Sequence, residues 1–96
     1  MNTLYTLFNK IGLNNNEVET MININNNLKT IDAELVFKNL VAVSNAGFPD
    51  DELNWLCYNN PSFLTLSNKE LKAKLEQLKA KYDDVEDALK KNPNLI

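Results

Sequence analysis

Apolar residues recur along this chain at intervals of three and four, the spacing that gathers side chains on one face of an α-helix. The first such stripe consists of Leu4, Leu7, Phe8 and Ile11. No segment alternates apolar and polar residues in the way that is typical of a half-buried strand. The spacing predicts six helices, over residues 4–11, 15–23, 33–45, 50–58, 67–82 and 84–91.

Capping and breaking residues stand at the ends of these predicted helices. Gly12 and Gly47 follow the first and third helices, where glycine commonly ends a helix in the left-handed conformation. Ser67 and Glu70 have the spacing of a capping box at the start of the fifth helix. The run Asn25–Asn27 ends the second helix, because asparagine side chains compete for backbone hydrogen bonds. Local signals therefore agree with the helical pattern.

The third predicted helix is apolar around most of its circumference. Its apolar residues are Leu35, Val36, Phe37, Leu40, Val41 and Val43. A helix of this kind is expected to be buried between neighbouring helices. We therefore expect residues 33–45 to form the central helix of the fold.

Two phrases of the sequence occur twice at nearly the same period. The phrase Asn-Pro-Ser-Phe-Leu at Asn60–Leu64 returns 32 positions later as Asn-Pro-Asn-Leu-Ile at Asn92–Ile96. The Gly-apolar start of Gly12–Val18 returns 35 positions later in Gly47–Leu53. Such periods are typical of repeat proteins in which each helical hairpin packs on the next.

We therefore predict an all-α fold of five or six helices in stacked helical hairpins, a short α-solenoid-like repeat domain. A single domain is expected to cover residues 1–96, because a chain of this length is one domain in size. Its degenerate repeats are predicted at about 12–46, 47–80 and 81–96.

The composition restricts the chemistry that the chain can perform. It has no histidine and no arginine, so all ten positive charges are lysines, and asparagine supplies seventeen residues. This bias is what an AT-rich genome would encode. Without histidine there is no imidazole for acid–base catalysis or zinc binding. No nucleophile–base pair, phosphate-binding glycine loop or carboxylate dyad is evident, so we predict neither an enzyme nor a cofactor or metal site.

The lone Cys57 excludes an internal disulfide and fits a reducing cytoplasm. We expect neither a signal peptide nor a membrane-spanning segment, because no apolar run of sufficient length is present. The formal net charge of −3 disfavours a simple nucleic-acid binder, whose affinity normally rests on cationic contacts with phosphates.

The second half of the chain resembles a known family. Gly47–Leu53, the Asn-Pro phrase at Asn60–Leu64 and the leucine-striped segment Ser67–Leu78 resemble one repeat of the mitochondrial transcription termination factors. Residues 83–96 resemble the start of the next repeat, and the first 46 residues would be a degenerate copy. The resemblance implies an α-solenoid whose basic concave surface binds double-stranded nucleic acid.

Two groups of residues are candidates for contact with a protein partner. Trp55 and Tyr58 are predicted to project from the fourth helix on the side opposite its apolar stripe, where aromatic anchors are effective. Leu95 and Ile96 follow the second Asn-Pro break, and we expect them either to fold back on the fifth helix or to be offered to another chain. The alternative for the aromatic pair is that neighbouring segments cover it.

Lysines of the fifth helix are the candidates for nucleic-acid contact. Lys72 and Lys79 fall on one flank of its leucine stripe, and Lys69 lies in its first turn. They could form a basic strip for a phosphate backbone. The alternative is that their methylene groups cover the edge of the core while their ammonium groups are solvated.

The sequence therefore predicts a small, non-enzymatic, cytoplasmic adaptor or interaction domain that binds a protein partner or itself. The alternative is a nucleic-acid-associated regulatory protein that binds DNA through the lysine-flanked helices.

Overall fold

The computed structural model describes residues 3–96, and within that range the chain forms helices and turns without a strand. The six helices are α1 Thr3–Lys10, α2 Asn15–Ile24, α3 Ala33–Asn45, α4 Leu53–Asn59, α5 Asn68–Lys81 and α6 Val85–Lys91. Short 3₁₀ turns lie at Asn26–Lys29, Asp50–Glu52, Pro61–Thr65 and Pro93–Leu95. The predicted all-α class is confirmed. The fourth helix differs from its prediction, since its first turn is a separate 3₁₀ turn.

Gly12 and Gly47 end α1 and α3 with the same backbone geometry. Their φ angles are +100° and +114°, in the left-handed region that glycine adopts without strain. In each case the N–H of the next residue donates to the carbonyl five positions back, from Leu13 to Phe8 (3.0 Å) and from Phe48 to Val43 (3.3 Å). This is the Schellman arrangement, and it ends each helix and turns the chain into the segment that follows.

The helices α2, α4 and α6 also end alike. Asn25, Asn60 and Asn92 are their C-caps, with φ between −131° and −148° and ψ between 76° and 93°, and each donates its N–H to the carbonyl four residues back. A 3₁₀ turn follows every one of the three. The two Asn-Pro phrases therefore have one local structure, and Asn25 reproduces it without proline.

The helices pack in two rows. In the first row α3 packs between α1 and α5, and it also contacts the Pro61–Thr65 turn. In the second row α2 packs on α4. The molecule measures 40 × 22 × 20 Å, elongated as expected for helices stacked along one axis. Between the rows lies one core, whose largest fully buried side chains include those of Phe8, Met21, Leu28, Phe48, Leu56, Phe63, Leu64 and Leu71.

The expectation that α3 is buried around most of its circumference is wrong. Val36, Leu40 and Val43 are in the core, but Phe37 is 54% exposed and Val41 is 39% exposed. Because α1 and α5 cover only the inward arc of α3, its outer flank remains open.

The C-terminal turn is folded onto the rest of the domain. Ile96 is 5% exposed and belongs to the core, and Leu95 is partly buried against it. The turn that carries them is held at the end of α4, where the Asn60 side chain donates a hydrogen bond to the Pro93 carbonyl, whereas the sequence-based expectation for a folded-back end is contact with the fifth helix. Ile96 is therefore not available to a partner in this conformation.

Candidate interaction surface

Two side chains form an apolar ridge along the outer flank of α3. Phe37 and Val41 are four residues apart, so they lie one above the other on the same side of the helix. We call this pair the α3 ridge. Phe37 is 54% exposed and Val41 is 39% exposed, so the outer flank of α3 presents an apolar surface while its inner flank is buried. An exposed apolar surface of this kind is a candidate for contact.

A groove lies on each side of the α3 ridge. The α1/α3 groove is lined chiefly by apolar side chains, among them Leu7, Ile11, Leu40 and Leu53, and the part beside these residues has a volume of about 380 Å³. The α3/α5 groove is lined by Lys38, Ala42, Asn45, Asn68 and Lys72, and it continues past Ala46, Leu75, Glu76 and Lys79.

A buried amide fixes the position of α5 beside α3. Asn39 is fully buried, and the two hydrogens of its Nδ2 group are shared among the carbonyl oxygens of Phe63, Leu64 and Leu66, which lie 3.3, 3.2 and 2.9 Å from the nitrogen. Its Oδ1 atom accepts a 3.1 Å hydrogen bond from the Nδ2 group of Asn68. Since these partners precede or begin α5, Asn39 sets where the α3/α5 groove starts.

The charges differ between the two grooves. In the α3/α5 groove Lys79 pairs with Glu76 at 3.4 Å, and Lys38 pairs with Glu34 at 3.6 Å across the helix surface. Within residues 3–96 no carboxylate lies within ion-pair distance of Lys72, which lines both parts of this groove. The Lys79–Glu76 and Lys38–Glu34 pairs are exposed, so each contributes little to stability. Either lysine can therefore exchange its glutamate for a carboxylate of a partner.

The α1/α3 groove has a different rim. Its charged residues are Lys10, Glu34 and Asp50. The Ser44 hydroxyl donates a hydrogen bond to an Asp50 carboxylate oxygen, which holds the end of α3 against the turn that precedes α4.

The aromatic pair predicted from the sequence lies in the other row of helices. Trp55 and Tyr58 are 38% and 39% exposed on α4, and neither lines the grooves beside the α3 ridge. Two asparagines hold the Trp55 backbone, since Asn59 Nδ2 donates to its carbonyl at 2.8 Å and Asn54 Oδ1 accepts from its N–H at 2.8 Å. This surface and the α3 ridge are thus two separate candidates.

The predicted lysines divide between groove and open surface. Lys72 and Lys79 line the α3/α5 groove, whereas Lys69 is exposed at the start of α5 and does not line it. Lys90, which could have extended the strip, forms ion pairs with Glu52 at 2.7 Å and Glu86 at 2.6 Å. Those two carboxylates raise the pKa of Lys90 above its ordinary value, and together the three side chains link α6 to the Asp50–Glu52 turn.

Cys57 is buried, and burial raises the pKa of its thiol far above the ordinary 9.0, so the nucleophilic thiolate is suppressed. The described part of the chain has no group of three or more histidine, cysteine, aspartate and glutamate side chains arranged to hold a metal ion. None of its helices combines the length and the apolar character needed to cross a membrane.

The fold and the surface together define a small all-α domain of stacked helical hairpins with an exposed apolar ridge. Comparison of the chain with protein families, curated proteins and solved structures found no match. The resemblance of residues 47–96 to mitochondrial transcription termination factor repeats therefore stays a prediction.

Sequence reasoning missed the α3 ridge because it treated every apolar residue of α3 as core. The signal was present in the angular positions. At about 100° per residue, Val36, Leu40 and Val43 share one arc, while Phe37 and Val41 fall together outside it. Asn39 falls within the buried arc, and a polar residue there indicates a specific hydrogen-bond partner.

Proposed function

We propose that this chain is a non-enzymatic interaction domain that binds a protein partner over the α3 ridge. The observation that carries the proposal is the 54% exposure of Phe37 between two grooves. Aromatic side chains that fill a complementary pocket dominate the binding energy of many interfaces. Val41 and the groove walls supply the surrounding surface that excludes water.

The α3 ridge supports this function better than the Trp55 and Tyr58 surface on α4. Phe37 is more exposed than either aromatic residue of α4, and it has a groove on both sides into which a partner's side chains can enter. The α4 pair remains the second docking candidate. We place the action of the protein in the cytoplasm, where the free thiol of Cys57 stays reduced.

A peptide selection on the whole chain tests the proposal. A display library of random 12-residue peptides is selected on the immobilised protein, and the affinities of enriched peptides are measured by fluorescence anisotropy. Phe37→Ser is expected to weaken binding at least tenfold, because a central aromatic anchor contributes about 2 kcal/mol or more. Trp55→Ser is the matched control, and circular dichroism confirms that both variants are folded.

The outcomes separate the candidate surfaces. Loss of binding with Trp55→Ser but not with Phe37→Ser would move the docking site to α4. Enriched peptides that tolerate both changes, or no enrichment at all, would refute binding over the α3 ridge. Light scattering addresses self-association, since a dimer would have twice the monomer mass of 10.9 kDa and should revert to the monomer with Phe37→Ser.

Nucleic-acid binding is the second candidate function, and the presence of Lys72 and Lys79 in one groove favours it. Binding of a short DNA duplex should then be seen in a low-salt gel shift and should weaken steeply with added salt. Glutamate in place of Lys72 and Lys79 should abolish the shift, and a similar change at Lys69 should reduce it. A duplex that does not bind at low salt would eliminate this candidate.

A further inference from the structure

The α3/α5 groove carries a charge opposite to that of the whole chain. The lysines that line it are Lys38, Lys72 and Lys79. The carboxylate that lines it is Glu76, already paired with Lys79, while the formal net charge of the protein is −3. The α1/α3 groove is lined by one lysine and two carboxylates. The positive charge is therefore concentrated on one side of the α3 ridge.

The shape of the α3/α5 groove fits a helix. Its floor includes the small side chains of Ala42 and Ala46, beside Leu75, so a third helix can approach the two that form it. The α3 ridge forms one wall, with Phe37 and Val41 presented to the occupant. An apolar stripe bordered by polar residues is the surface that would cover such a groove.

The spacing of the lysines sets the length of the occupant. Lys72 and Lys79 are seven residues apart, which places them on one face of α5 and about 10 Å apart along its axis. The α5 residues that line the groove extend from Asn68 to Lys79, about 16 Å. A helix of about three turns would cover that distance.

Resting on the proposed function, we infer that the α3/α5 groove receives an acidic amphipathic helix from a partner protein. The apolar side of this helix packs on the α3 ridge and on Ala42. Its carboxylates face Lys38 on one side and Lys72 and Lys79 on the other, at positions three, four or seven residues apart. Lys72, without a carboxylate partner in the described part of the chain, is the centre of this recognition.

The same features fit a phosphate backbone less well. The α3 ridge offers a phosphate no hydrogen-bond donor, whereas it offers an amphipathic helix the apolar surface that such a helix needs. The groove thus favours a ligand that is both apolar and acidic.

A second selection tests the charge of the occupant separately from the existence of a docking surface. The library contains 14-residue helical peptides with apolar residues fixed at i, i+3, i+4 and i+7 steps. Every other position draws glutamate, lysine, glutamine or alanine with equal frequency. Selected peptides are expected to contain several times more glutamate than lysine, and their affinity should fall with salt because the charge pairs are exposed.

The charge-reversed double variant Lys72→Glu, Lys79→Glu should weaken the selected peptides roughly tenfold. The matched control is Lys74→Glu, Lys81→Glu, which changes the same number of charges with the same seven-residue spacing. Lys74 and Lys81 line neither part of the groove, and we expect the control to change the affinity less than threefold.

Each outcome supports or overturns the inference. Peptides that need Phe37 but contain glutamate and lysine equally would refute the acidic occupant and leave the proposed function standing. Equal losses in the two double variants would show non-specific charge attraction and would refute it as well. Failure to select any Phe37-dependent peptide would overturn both proposals. One further outcome is a DNA duplex that competes with the selected peptides at low salt and fails to bind the Lys72→Glu, Lys79→Glu variant. That result would assign the groove to nucleic acid and overturn the inference.

Discussion

The Nδ2 group of Asn60 donates a 2.6 Å hydrogen bond to the backbone carbonyl of Pro93, which joins the first Asn-Pro break to the second. Asn60 is 5% exposed and Pro93 is half-buried, so the bond is partly shielded from water. The backbone N–H of Asn60 also ends α4 by donating to the Leu56 carbonyl at 2.8 Å. One residue therefore ends a helix and holds the C-terminal turn beside it.

Replacing Asn60 with alanine should destabilise the domain by about 1–2 kcal/mol, because the partly buried Pro93 carbonyl loses its donor. Urea unfolding followed by circular dichroism would measure this change. Asn94→Ala is the matched control in the same turn, because the Asn94 side chain is exposed and we expect a loss below about 0.5 kcal/mol. Equal stabilities of the two variants would show that the Asn60 bond contributes nothing.

Replacing Asn39 with aspartate should be more damaging. The change removes the amide donor from three carbonyls and places a negative charge beside them, so we expect a loss of about 3 kcal/mol. Asn45→Asp, exposed on the same helix, should cost less than about 1 kcal/mol through the helix dipole. The denaturant midpoints of both variants are compared with that of the parent protein. An unchanged midpoint for Asn39→Asp would contradict the role assigned to the Asn39 amide.

The Cys57 thiol should react only after the domain opens. Burial raises the pKa of the thiol, so at pH 8 the native protein presents no accessible thiolate. We expect a coloured disulfide reagent to label Cys57 slowly in buffer and within seconds in concentrated urea. Labelling in buffer should quicken about tenfold for each ~1.4 kcal/mol of stability lost in Asn39→Asp, because the rate follows the population of the opened state. Rapid labelling of the native protein at pH 8 would disprove this burial.

Lys90 should stabilise the fold at neutral pH, and this stabilisation should be lost at strongly alkaline pH. Hydrogen bonds and charge attraction from Glu52 and Glu86 raise the pKa of Lys90 in the folded state above its ordinary value of 10.5. The stabilisation is therefore complete below pH 10.5 and is lost as the pH rises through the higher folded-state pKa.

The test compares the urea midpoints of Lys90→Met and the parent protein between pH 8 and pH 12. The difference should be constant up to about pH 10 and should shrink above it. Lys29→Met, an exposed lysine without an ion pair in the described residues, should leave the midpoint unchanged at every pH. A Lys90 effect that grows with alkaline pH would contradict the ion pairs.

Much of the local structure could be predicted because it depends on contacts between residues close in sequence. The bounds of α3 agree with the prediction at both ends, since Asp32 caps one end and Gly47 follows the other. The Asn14 and Glu17 side chains form both bonds of a capping box. The Ser67 hydroxyl accepts from the Glu70 N–H as its spacing predicts.

The candidate surface could be predicted only in part. The exposure of Trp55 and Tyr58 and the shared flank of Lys72 and Lys79 follow from helical periodicity. Helical periodicity does not determine which flank of α3 is covered, because that depends on where α1 and α5 pack. The sequence reading assigned Phe37 to the core for this reason.

The sequence by itself determined the helices, their caps, the two glycine-ended turns and the repeated Asn breaks, because each rests on hydrogen bonds that span five residues or fewer. Only the tertiary structure decided that Phe37 is exposed, that Ile96 is buried and that Asn39 and Asn60 reach carbonyls 24 or more residues away. Those facts depend on how the two rows of helices pack, and local periodicity carries no information about that packing.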